Sequence, residues 1–451
     1  MRFPLDHRRT ACPRVLIVLV CLTLLTAFFT PVSSRAALAE RVVLKNGLVL
    51  LHAPRHGLPI VRVAVAIRAG GLDDPPDKAG LSNLTAALLT EGTRSRTARE
   101  ISRDIEFVGG SLSAAADTDY TTVSLTVLKK DVELGFDLLA DVLTRPSFPD
   151  DEVERVRQRI LGAIRQKKED PGAVADETFR KAVFGDHPYG KPVEGFAETV
   201  PGISRDDIAA FHRRYYLPNN AWMAVVGDLS RTEFDRLFTR YFSDWKSADI
   251  PTRAVPDPPK PHAETVVVDR DLTQANIRVG QVSIPRNHPD YYALSVANYI
   301  LGGGGFSSRL MDSIRDNLGL AYSVYSYLDP GLGTGLFVAG GETKNESARR
   351  VLMEIDREIT RLRTESVTDR ELADAKSFLI GSFPLRLDST AKILRFLIAV
   401  EYYGLGLDYP DRYPGIIGSI TAEDVMNAAR KHLHPDRMTR TVVARKQDAG
   451  L

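Results

Sequence analysis

The sequence predicts an α+β protein made of two homologous α/β domains of about 200 residues each. Each would be a mixed, mostly antiparallel sheet with helices packed on it. Three observations lead there. The chain has 451 residues, more than one ordinary core organises. The stretch Ser247 to Glu264, "SADIPTRAVPDPPKPHAE", carries five prolines and few large apolar residues, as a stiff exposed connector does. On either side of it, strands and helices follow one another in the same order. The expected division is residues 1–39 as a leader, 40–246, a linker at 247–264, and 265–451.

The leader comes first. Four arginines precede "VLIVLVCLTLLTAFF", and small residues follow at Ala37 and Ala39, the layout of a secretory signal cut after Ala39. The alternative is an uncleaved membrane anchor, since the apolar run is nearly long enough to span. Cleavage would place the protein in the periplasm or otherwise outside the cytoplasm. It would also take away five Arg and one Asp, turning the net charge of +1 into −3. That balance gives no electrostatic case for nucleic acid, nor for a membrane surface beyond the leader. The two cysteines, Cys12 and Cys21, leave with the leader, so the remainder has no disulfide, thiolate nucleophile or cysteine metal site.

In the first half, "RVVLKNGLVLLHAP" has an Asn-Gly turn between apolar runs and reads as a hairpin. "IVRVAVAIRAG" alternates as a half-buried strand should. "GLSNLTAALLTEGT" is a short apolar helix stopped by Gly92, and "TTVSLTVL" a strand. "PDDEVERVRQRILGAIRQKKEDP" is a long helix whose stripe is Val153, Val156, Ile160 and Ile164. Its acidic first turn and basic later turns suit the helix dipole. "AWMAVVGDLS" is a last strand. The second half gives a strand in "NIRVGQVSIP", a helix in "YYALSVANYILGGGG", a helix in "FSSRLMDSIRDNLG" and a hairpin in "LAYSVYSYLDPGLGTGLFVAGG". The stripe of that second helix is expected to be Leu310, Ile314 and Leu318.

Several of these segments carry a resemblance. They are "GLSNLTAALLTEGT", "EFVGGSLSAAADTDYTTVSL", "EDPGAVADETFRKAVFGDHPYGKPVEG", "FHRRYYLPNNAWMAVVGDL" and "LGGGGFSSRLMDSIRDNLGLAYSVYS". In this order they resemble the insulinase/pitrilysin-like zinc peptidases, especially the bacterial two-domain members close to mitochondrial processing peptidase. The resemblance covers essentially everything after residue 40 and implies a clamshell-type architecture.

In that family the first segment holds His-x-x-Glu-His, whose spacing puts two zinc-binding imidazoles and a water-activating carboxylate on one helical face. With Gly80 and Gly92-Thr93 fixing the register, the three positions here are Asn83, Ala86 and Ala87. The family's glutamate pair in the long helix falls on Gly162 and Ala163. Methyl groups neither ligate a metal nor accept a proton, so no metal and no cofactor is expected in this chain. His52 and His56 share the i, i+4 spacing, but Pro54 and Arg55 lie between them after a strand, so no metal role is expected. His432 and His434 read as surface residues, and His187 as a hydrogen-bonded loop histidine.

What the resemblance retains is an Arg–Tyr pair, here Arg315 and Tyr322, which in the family is supplied by the C-terminal domain to bind substrate. A guanidinium and a phenol can both donate to the carbonyls of an extended peptide. Spacing alone also allows a plainer reading, a charge at a helix end and a strand aromatic. "GGSLSAAADTDYT", Gly109 to Thr121, resembles the family's substrate-accepting edge strand, with Ser113 near the place of a frequent asparagine. Gly302, Gly303, Gly304 and Gly305 resemble the glycine-rich loop of the processing-peptidase non-catalytic subunit; a flexible turn between helices is the alternative. The implied function is that of a non-catalytic, substrate-binding subunit of an exported heterodimeric zinc endopeptidase. A homologous partner would bear the zinc motif, and extended peptides would be the substrates. The alternative is a catalytically dead scaffold or peptide-binding protein of the same fold, comparable to the core subunits of the respiratory bc complex.

Overall fold

A computed structural model describes residues 38–253 and 255–451. All of the expected leader but Leu38 and Ala39 lies outside the described residues, and the first strand begins at Glu40. Residues 39–451 form one compact unit. Among the described residues no helix is long and apolar enough to cross a membrane.

Two sheets organise the chain. The first holds β1 (Glu40–Val43), β2 (Val49–Pro54), β3 (Ile60–Ile67), β4 (Ser111–Ala116), β5 (Thr121–Leu128) and β6 (Ala221–Gly227), in the order β1-β2-β6-β3-β5-β4. The second holds β7 (Glu264–Asp269), β8 (Gln274–Ser283), β9 (Ala321–Pro330), β10 (Gly335–Lys344) and β11 (Thr439–Ala444), in the order β7-β11-β8-β10-β9. Each sheet has a single parallel pair, β2 with β6 and β7 with β11, and is otherwise antiparallel. Without β1 the two orders coincide strand for strand, so the expected duplication is present in the topology. The predicted edge strand is β4, and its counterpart at the edge of the second sheet is β9.

Each sheet has its own core. The Val153, Val156, Ile160 and Ile164 stripe is buried in the first, as periodicity predicted. Each half also lends a helix to the other. Pro171–Phe184 from the first half packs on β8 and β11, where Phe179, Val183 and Phe184 join Val282, Leu336 and Val338 in a third apolar cluster. Burying a side chain such as Phe179 contributes roughly 2–3 kcal/mol. In return Thr390–Tyr402 from the second half lies across β3 and β6. There Trp222 stacks on Tyr402 and donates its indole N–H to the Ile398 carbonyl at 3.2 Å.

This exchange corrects one expectation. β3 is not half-buried: Ala64 and Ala66, on the face opposite Val63 and Val65, are also buried, because the Thr390–Tyr402 helix covers them. The proline-rich connector is largely exposed and is fastened to the body at a few points. Arg253 donates to the Asp73 carboxylate and to the Asp119 carbonyl, and His187 Nε2 lies 3.1 Å from the Pro256 carbonyl.

Candidate functional site

The short helix Leu81–Leu88 carries Asn83, Ala86 and Ala87. It starts where Gly80 takes φ +101°, and the Asp74 carboxylate accepts from the Gly80 and Ser82 amides at 2.8 and 2.7 Å. Burial pushes the Asp74 carboxyl up to about 7, against the pull of those two N–H donors. Leu81, Leu84 and Leu88 fix the helix in the core, and its outer side packs on β4 and on the long helix Asp150–Lys167. Ala86 is fully buried, whereas Asn83 and Ala87 are half-buried. On the long helix a side chain at Gly162 would point into open space, and Ala163 is exposed.

Zinc does not fit this donor set. The five positions offer one neutral amide, three methyls and a hydrogen, with no imidazole or carboxylate among them. Nor do the other histidine pairs supply one. His52 is buried in β2 with Nε2 2.9 Å from the Leu229 carbonyl, while His56 is exposed and paired with Asp228. His187 accepts the Tyr189 amide and is a loop-fastening histidine. The expectation for His432 and His434 needs correction: both are half-buried, because the end of the Ala422–His432 helix abuts the turn around Asp290.

The second sheet brings Arg315 and Tyr322 together. The segment Met311–Asn317 is wound as a wide π-helix, and Gly319 at φ +62° turns the chain into β9. The wide winding changes the expected stripe: Leu310, Met311 and Ile314 are buried and Leu318 is only half-buried. Arg315, beside Ile314, is thereby left on the outer side, its Nη1 3.2 Å from Asp316. Its guanidinium carbon lies 5.5 Å from the centre of the Tyr322 ring and 4.8 Å from that of Phe306. Tyr322 is 85% exposed and Phe306 72%, so the charged and aromatic faces are offered to solvent together. The start of this helix is fastened by Arg309, which forms a fork on Glu371 at 2.6 and 2.9 Å.

Arg315 and Tyr322 line a cleft of about 590 Å³ with Gln274, Arg278, Glu342 and Lys344. Arg278 rises from the middle of β8, buried, and is held at 2.6 Å by Asp176 of the exchanged Pro171–Phe184 helix. A second hollow of about 390 Å³ adjoins on the other side of Tyr322 and is lined by Gly302, Gly303, Gly305 and Phe306. The four glycines are not one flexible loop. Gly302 and Gly303 end a helical segment, and a Cβ on Gly302 would sit 2.4 Å from the Ser326 amide of β9; only Gly305, at φ +59°, makes a left-handed turn. On the first sheet Ser113 lies on the outer edge strand β4, exposed.

Phe306 and Arg278 were not picked out from the sequence. Arg278 had a signal, the one charged side chain inside a central strand. Phe306 had none, since an exposed phenylalanine reads like any other.

Comparison with known proteins shows the family of the chain and its fold. Residues 51–196 match the family described as insulinase (peptidase family M16), and residues 202–379 match that described as peptidase M16 inactive domain. A Streptomyces coelicolor protein named as an uncharacterized zinc protease is 31% identical over 402 residues, 87% of this chain and 86% of its own. A Mycobacterium leprae protein of the same description is 32% identical over 418 residues, covering 89% and 91%. The chain belongs to the insulinase-like M16 peptidase family. Among solved structures it is similar to a peptidase M16 inactive domain from Pseudomonas fluorescens, with TM-score 0.85, 29% identity and coverage of 90% of this chain and 97% of that one. A protease from Helicobacter pylori shares the fold, with TM-score 0.83 and 24% identity, covering 90% and 99%.

Proposed function

We propose that this chain is the non-catalytic, substrate-binding subunit of an exported heterodimeric zinc metalloendopeptidase. A homologous partner bearing the zinc motif supplies the metal and the hydrolysis. One observation carries the reading. Arg315 and Tyr322 converge on an open cleft, while the five positions where the family places its metal machinery hold no ligand. An Arg–Tyr pair that faces solvent without a metal beside it suits a substrate shared with a second chain. The guanidinium fork and the phenol would hold carbonyl oxygens of an extended peptide, and the exposed edge strands β4 and β9 offer it unpaired backbone.

The test is to mix the purified chain with a homologue from the same cell that carries His-x-x-Glu-His, and to assay peptide cleavage. Neither chain alone should match the mixture. If the mixture cleaves no faster than the homologue alone, the chain is a scaffold or peptide-binding protein instead. Export is checked separately: the chain recovered from the periplasm should begin at Glu40.

A further inference from the structure

We propose that His288, Asp290 and His432 form a binding site for one divalent transition-metal ion of the zinc type, apart from the vacated peptidase site. His288 and Asp290 lie in the turn that leads into the Tyr291–Asn298 helix, and His432 ends the Ala422–His432 helix that packs against it. The three donor atoms lie within 4.8 Å of one another. His432 Nε2 is 2.6 Å from Asp290 Oδ2, and His288 Nδ1 is 3.9 Å from the same oxygen. The two rings stand nearly perpendicular, at 83°, with centroids 5.0 Å apart.

The ion pair with Asp290 holds His432, and the Asp290 amide holds His288; together they set two imidazoles beside one carboxylate in a half-buried corner. Two imidazoles and a carboxylate suit zinc, nickel or copper and not magnesium or calcium, with water completing the shell. A tetrahedral zinc site holds its ligand atoms roughly 3.3–3.6 Å apart, so His432 and Asp290, now hydrogen-bonded at 2.6 Å, must part by somewhat under 1 Å while His288 draws in. His288, in a turn and partly exposed, has the freedom to do so, giving up the 3.0 Å bond its Nδ1 accepts from the Asp290 amide. Lys431 sits 2.8 Å from Asp290 Oδ2 on a largely exposed side chain. It is the group the ion would displace, one cation replacing another on the same carboxylate.

The consequence bears on any metal assay: zinc held here would say nothing about the Asn83 helix. The experiment uses the full chain without an affinity tag, titrated with zinc chloride by calorimetry and checked by metal analysis after dialysis. One ion per chain is expected, lost in His432→Ala and in His288→Gln, and kept in Asn83→Ala. Thermal melting confirms that each variant is folded; His288→Gln serves if the half-buried His432→Ala does not fold. Lys431→Ala is expected to bind several-fold more tightly, since it removes the competing ammonium. Absence of stoichiometric zinc in the unaltered chain overturns the site. So does a His288/His432 double variant that still binds, or Lys431→Ala binding with unchanged affinity, which would put the ion away from Asp290.

Discussion

The Arg315 guanidinium is flanked by Phe306 at 4.8 Å and Tyr322 at 5.5 Å, two rings that a solvent-facing cation would not need for its own solubility. The rings hold the fork at one place above the cleft, so little rotamer freedom remains to be lost when a peptide carbonyl arrives.

Replacing Arg315 by Ala is therefore expected to lower cleavage by the reconstituted pair by roughly 10²-fold, the size of loss seen when a donor to a reacting carbonyl is removed. Tyr322→Phe keeps the ring and loses one donor, and roughly tenfold is expected. Neither change should move folding stability by more than about 1 kcal/mol, because Tyr322 is exposed and the ion pair of half-buried Arg315 is with exposed Asp316. Steady-state kinetics beside urea titration checks the pair; a turnover unchanged in the double variant would remove the substrate role.

Gly302 supports that arrangement from below. Its missing Cβ lets the helix end rest on the Ser326 amide of β9. Gly302→Ala should cost about 1–3 kcal/mol by overpacking, and it should displace Phe306 and Arg315 as well. A loss of cleavage larger than the loss of folded protein is expected. A variant with wild-type stability would show that the helix end does not bear on the strand.

Much of this was legible in the residues, but not all of it. Val153, Val156, Ile160 and Ile164 gave their helix face by spacing alone, and Asn46-Gly47 marked the first hairpin. The half-buried reading of β3 fails at Ala64 and Ala66, since alternation reports which residues share a side and not what comes to cover it. The covering helix starts at Thr390, more than three hundred residues along the chain. The same limit hid Asp176 as the partner of Arg278. The stripe of the Arg315 helix was placed wrongly at Leu318 because π winding has no sequence period to read.

Burial also decides how far the peptidase site has closed. Ala86 is fully buried, so Ala86→Glu would place a carboxylate away from water. A destabilisation of about 2–4 kcal/mol is expected in urea. Gly162→Glu enters open space and should be nearly neutral apart from a small gain in helix propensity. Equal stabilities for the two variants would mean that the pocket around Ala86 is wetter than its burial indicates.

His212 sets a pH dependence that can be worked out with its sign. It lies in the helix Arg205–Tyr215, stacked on Tyr216 at 4.6 Å, with Nε2 donating to the Leu143 carbonyl at 2.9 Å. Burial pushes its pKa down to about 4 from the ordinary 6.5, outweighing the pull of the carbonyl. The unfolded chain thus takes up a proton near pH 6.5 that the folded chain refuses until about pH 4. The stabilisation is complete above 6.5 and is lost as pH falls toward 4, by roughly 3 kcal/mol in all. Asp74, raised to about 7, gains stability over the same fall in pH and opposes this slope. Urea titrations from pH 7.5 to 4.5 are therefore read as the difference between the chain and His212→Gln. The variant should be less stable at pH 7.5 and should lose less stability on acidification, by roughly 3 kcal/mol. If the chain and His212→Gln respond to pH alike, other groups carry the acid sensitivity and the ring takes up its proton in the folded chain as readily as in the unfolded one.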